Sequence, residues 1–171
     1  FERLIRDVQQ REPANATITI LDAEGREVGA AIVGAGTYTT PQLPPGSYTL
    51  LVQAENCAGG RVAVTVVAGA DTPRNLLLEI GVPMQLEVAS RVRDHATAMA
   101  SLGIYDREGK PLWWTHGRMQ DGVVGFTVWL APGPYTLLAL GIDGYRQERR
   151  LDVASGQASV GAVVRIELQP K

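Results

Sequence analysis

The chain has 171 residues, 45% of them hydrophobic and 20% charged, and a net charge of -2. That composition describes a globular protein and argues against disorder. Residues 1–83 carry six Arg against nine acids, and the remainder eight Arg and two Lys against nine acids, so neither half is basic enough to grip nucleic acid. Cys57 is the single cysteine, which leaves no intrachain disulfide. No apolar run reaches the length of a membrane span, and direct insertion is not expected.

Phe1, Leu4, Ile5 and Val8 follow the spacing of one helical stripe, and Pro13 would end it. The spacing predicts a short helix within an N-terminal segment, 1–13. The alternative is a first strand, because Met84, Leu86 and Val88 open a similar stretch further on with period-two alternation. After Pro13 the pattern is one of short strands. Expected strands are 17–21, 28–33, 38–43, 48–54, 61–67 and 76–80, with turn residues such as Asp22-Ala23-Glu24-Gly25 between them. Gly81-Val82-Pro83 reads as a short hinge. Further strands are expected over 84–92, 98–105, 111–115, 123–130, 135–140, 146–153 and 160–168.

The two series are copies. Leu43-Pro44-Pro45-Gly46-Ser47-Tyr48-Thr49-Leu50 returns 87 positions later as Leu130-Ala131-Pro132-Gly133-Pro134-Tyr135-Thr136-Leu137. Leu21-Asp22-Ala23-Glu24-Gly25-Arg26 matches Tyr105-Asp106-Arg107-Glu108-Gly109-Lys110, and Leu76 to Ile80 matches Val164 to Leu168. Three anchors in one order predict two all-β sandwiches, 14–81 and 84–171. In each Pro-Gly turn, Gly46 or Gly133 can supply a conformation that a Cβ would hinder. The Tyr that follows, Tyr48 or Tyr135, can bury its ring while its hydroxyl caps backbone at the strand corner.

The run Asp-x-x-Gly, a Gly-bounded strand and Leu-Pro-Pro-Gly-x-Tyr-x-Leu resembles the carboxypeptidase regulatory-like domain. Gly144-Tyr145 resembles that family's frequent Gly-Tyr step. The resemblance covers about 14–81 and 96–169, and it implies tandem immunoglobulin-like or transthyretin-like sandwiches of about seven strands. It says little about function. The chain end, Leu168 to Lys171, lacks the motif of the transthyretin-like hydroxyisourate hydrolases. The first copy has no Lys and the second no Asn, which excludes a Lys-to-Asn isopeptide lock within either.

Candidate chemistry is sparse. His95 and His116 stand 21 residues apart without a second ligand at metal spacing, so no metal and no cofactor are expected. No nucleophile is paired with a base. The aromatic residues are unevenly shared, however. The first copy has Tyr38 and Tyr48; the second has Tyr105, Trp113, Trp114, Phe126, Trp129, Tyr135 and Tyr145. Adjacent strand residues face opposite sides, so Trp113 and Trp114 cannot both enter one core. Trp129 falls on an outward position. The candidate contact set is therefore Trp113, Trp114, Trp129 and Tyr145.

These readings predict a non-enzymatic stalk, spacer or docking module of a bacterial cell-envelope or secreted protein, at the cell surface or in the periplasm. The abundance of Arg over Lys is what suggests a bacterial source. Its partners would be another protein or neighbouring domains of a larger parent chain. The alternative is a carbohydrate-binding module that stacks polysaccharide on the exposed Trp residues.

Overall fold

The computed structural model describes residues 3–7, 9, 11–70, 74–92, 97–142, 144–154 and 163–170. The chain divides into two compact units, Phe1–Gly81 and Val82–Lys171. Among the described residues every regular element is a strand.

The first unit comprises β1 (Arg3–Asp7), β2 (Thr17–Leu21), β3 (Glu27–Gly34), β4 (Thr37–Thr39), β5 (Gly46–Ala54), β6 (Cys57–Val66) and β7 (Leu76–Leu78). Hydrogen bonding runs β6-β5-β2-β3-β4-β1-β7. β3 makes the corner between the layers. Its first half pairs with β2 and its last residues, Ile32 to Gly34, pair with β4. The alternation of β2 sends Ile18 and Ile20 into a core with Ile5, Tyr38, Leu50, Val52, Leu76 and Leu78.

The second unit comprises β8 (Val82–Ala89), β9 (Met99–Tyr105), β10 (Pro111–Arg118), β11 (Val123–Leu130), β12 (Gly133–Leu140), β13 (Arg146–Val153) and β14 (Val163–Glu167). Its sheets have the orders β10-β9-β12-β13 and β11-β8-β14. This is the first unit's order strand for strand, with the corner at β3–β4 opened into two separate sheets. In both units the first strand lies between an antiparallel neighbour and a parallel last strand: β1 between β4 and β7, β8 between β11 and β14. Leu86, Val88, Val128, Leu130 and Ile166 from the smaller sheet meet Leu102, Ile104, Leu137 and Ala139 from the larger.

The repeated Asp-x-x-Gly turns are built alike. Asp22 accepts from the backbone N–H of Glu24 and Arg26 through Oδ1, at 3.0 and 2.9 Å. Asp106 does the same for Glu108 and Lys110, at 2.8 and 2.9 Å. Gly25 and Gly109 close the turns at φ 79° and 75°, where a side chain would be strained.

Three expectations are corrected. The N-terminal segment is not a helix: it supplies β1, whose Ile5 is fully buried while adjacent Leu4 is 40% exposed. That opposition of neighbours is strand geometry, and pairing with Leu76 to Leu78 outweighs the local helical spacing. Phe1 and Val8, which carried the ends of that spacing, lie outside the described residues. Second, β4 stops at Thr39 instead of reaching Leu43, because Pro41 has no N–H for a ladder. Third, Val82 and Pro83 of the expected hinge are the first residues of β8, opposite Leu130 and Trp129.

Candidate functional site

Trp113 and Trp114 part company at the start of β10, where a bulge between Pro111 and Trp113 resets the register against β9. Trp113 turns inward and joins the core, 9% exposed. Trp114 turns outward, opposite Gly103, and remains 42% exposed. A Cβ on Gly103 would lie 2.3 and 2.5 Å from two atoms of the indole and 3.0 Å from the Tyr105 ring. The missing side chain is what lets the Trp114 ring rest on the β9 backbone with Tyr105 beside it.

Register extends the surface across the sheet. Gly103 faces Leu138 and then Glu148; Tyr105 faces Thr136 and then Arg150. Burial pushes the Tyr105 phenol above its ordinary pKa. At the far edge a shallow basin of about 480 Å³ is bordered by Arg107, Pro134, Thr136, Arg150 and Asp152. The surface is thus an aromatic patch with a rim of mixed charge. Thr19, Ala30 and Leu51 hold the corresponding register positions in the first unit, without any aromatic ring.

The other predicted contact residues do not join it. Trp129 lies on β11 between buried Val128 and Leu130, half-buried and packed against the core. Tyr145 packs its ring against the core from the turn before β13, and its carbonyl accepts from Gly141 N–H at 2.8 Å. Trp113 is thus part of the second core, Trp129 and Tyr145 pack against that core, and Trp114 stands on the outer face of the larger sheet. Gly103 and Tyr105 were not in the expected contact set; a glycine inside a strand pattern, two residues from an aromatic, was the available signal.

At the corners, Tyr48 Oη donates to the Pro44 carbonyl and Tyr135 Oη to the Ala131 carbonyl, each at 2.8 Å. Gly133 sits at φ 146°, whereas Gly46 has no positive φ and a Cβ there would meet the Tyr48 ring at an ordinary 3.5 Å. A positive φ is therefore found at Gly133 and not at Gly46.

Ionisable groups serve the turns. The Arg26 backbone N–H bonded to Asp22 holds that carboxyl below its ordinary range, helped by the Arg26 guanidinium. The Lys110 ammonium does the same for Glu108. Cys57 is buried. Among the described residues no three His, Cys, Asp or Glu side chains converge on a metal-sized site, and His95 lies outside them. Among them, too, no helix is long and apolar enough to cross a membrane.

Residues 4–79 match the model of the carboxypeptidase regulatory-like domain family, the span from β1 to just past β7. No curated protein sequence matches the chain significantly. Among solved structures, the Bacillus anthracis TIE protein is 18% identical with a TM-score of 0.39, over 99% of this chain and 33% of that one. A streptococcal ancillary pilin is 14% identical, TM-score 0.33, over 99% and 62%. BcpA, the major pilin subunit of Bacillus cereus, is 12% identical, TM-score 0.35, over 91% and 55%. The chain spans less than two thirds of each of these structures.

Proposed function

We propose, taking as premise a first unit that matches the carboxypeptidase regulatory-like family, that this chain is a non-enzymatic docking module of a bacterial cell-envelope or secreted protein. Its second unit makes the contact, and the first unit is the supporting sandwich. The observation that carries the reading is Trp114 laid over Gly103 beside Tyr105, on a sheet face that the first unit leaves without aromatics. A large flat ring held on backbone loses little entropy when covered, which is the profile of an interface anchor. The mixed rim of Arg150, Glu148 and Asp152 suits a protein surface better than a polyanion.

Trp114→Ala tests it. The melting temperature should stay near that of the wild type, while association within the parent assembly weakens by about tenfold or more. The carbohydrate reading rests on the same ring, whose outer face is open to a pyranose. It predicts instead that Trp114→Ala abolishes retention on a polysaccharide column and that free oligosaccharide quenches indole fluorescence. If neither association nor retention changes, the Trp114 face is not a contact surface and the chain is a spacer.

A further inference from the structure

The same edge of the larger sheet is treated differently in the two units. In the second unit that edge is β13, where Arg146, Glu148, Arg149, Arg150 and Asp152 put charge on five of eight residues. Arg149 also reaches across to the smaller sheet and donates to the Arg165 carbonyl at 2.6 Å, latching the two layers on that side. In the first unit the edge is β6. Its register against β5 puts Val62 where Arg149 stands, Ala63 for Arg150 and Thr65 for Asp152. The start of β6 is covered, by Cys57 opposite Ile80 and by Ala58 N–H donating to the Glu79 carbonyl. From Gly59 to Val66 no strand pairs with the outer edge among the described residues, and Arg61 is the single charge.

A cleft opens beneath that edge. β11 carries Val128 and Leu130 into the second core, 0% and 1% exposed. β4 stops short of the equivalent positions, and Leu43 sits in a loop, half-buried. The space left is a cavity of about 660 Å³, lined by Tyr38, Leu43, Tyr48, Leu50, Val64 and Val66 among others, with Arg74 the one charged lining residue among the described residues.

We propose that β6 is a strand-addition site that takes an extended segment of a partner chain. An open row of main-chain N–H and C=O groups recognises an extended backbone and nothing else of comparable shape. Side chains on the incoming strand alternate between faces, so every second one enters the cleft and must be apolar. The segment carries valine-sized residues at alternate positions, small polar ones between, and a carboxylate at the end that reaches Arg74. This site is on the other unit from Trp114, so either proposal can fail alone.

The probe is a blocked heptapeptide alternating valine and threonine and ending in aspartate, added to the full chain. Hydrogen exchange followed by NMR reads each amide. Half of the amides between Gly59 and Val66, those pointing away from β5, should slow by about tenfold or more, with β13 unchanged. Peptides N-methylated at one alternate set of amides should lose this effect, and those methylated at the other set should keep it. No protection, equal protection at β13, or equal sensitivity to both methylation sets overturns the proposal. So does protection of β6 without peptide that grows with protein concentration, which would make the occupant a second copy.

Discussion

Tyr135→Phe removes one oxygen and nothing else, and the structure sets what that should cost. The hydroxyl donates to the Ala131 carbonyl at 2.8 Å in a part-buried corner, while the ring packs on the core. A neutral hydrogen bond of this kind contributes about 1 kcal/mol. The Ala131 carbonyl can recruit water, so the larger penalty of an orphaned buried acceptor does not apply. For a unit of this size, about 1 kcal/mol lowers the melting temperature by roughly 4–8 °C. Tyr48 makes the same bond to Pro44 in an exposed corner, and Tyr48→Phe should fall at the lower end, about 0.5 kcal/mol. Tyr135→Ala also loses ring packing and should cost about 3 kcal/mol. All three Trp residues belong to the second unit, so indole fluorescence during urea unfolding reports that unit. Far-ultraviolet circular dichroism reports both. A Tyr135→Phe midpoint equal to wild type, or a larger loss for Tyr48→Phe, would refute the corner energetics.

Trp113→Ala should destabilise by about 3–5 kcal/mol and Trp114→Ala by less than about 1, which urea midpoints separate directly. Gly122→Ala should be among the most damaging small substitutions: its φ is 79° and the new Cβ would lie 2.6 Å from the Ser90 carbonyl oxygen, which is backbone and cannot step aside. Gly109→Ala, at φ 75° with nothing near, should cost about 1–2 kcal/mol, so equal midpoints for the two variants would discredit the clash. Because the folded pKa of Asp22 is depressed, its contribution is present above the ordinary carboxylate value of about 4 and is lost as pH falls through the folded value. Asp22→Asn should therefore flatten the acid limb of the stability curve, and an unchanged limb would contradict the turn electrostatics.

Much of the framework was readable because it rests on local chemistry. The Asp-x-x-Gly turns declare themselves through a side chain that bonds its own following amides, and the strands through alternation around buried Ile18, Ile20, Leu102 and Ile104. β1 was not readable in the same way, since Phe1, Leu4, Ile5 and Val8 follow helical spacing and Leu4 next to Ile5 breaks strand alternation. What decides is a slot between β4 and β7 that exists only after the rest has folded. The divergence of Trp113 and Trp114 followed from strand parity. Which one turns inward did not, because the bulge after Pro111 sets the register. Trp129 and Tyr145 show the limit of grouping residues by type: both pack against the second core, yet in a sequence they look as available for contact as Trp114.

The proposed function makes Trp114 a surface anchor held ready on Gly103. Hydroxyl-radical footprinting read by mass spectrometry tests it on the wild-type chain, residue by residue. Trp114 should oxidise readily in the isolated chain while Trp113 is spared, and the proposed docking role requires Trp114 to become protected in the assembly in which the protein works. Trp114 oxidised to the same extent in both settings, or spared like Trp113 in the isolated chain, would contradict the account.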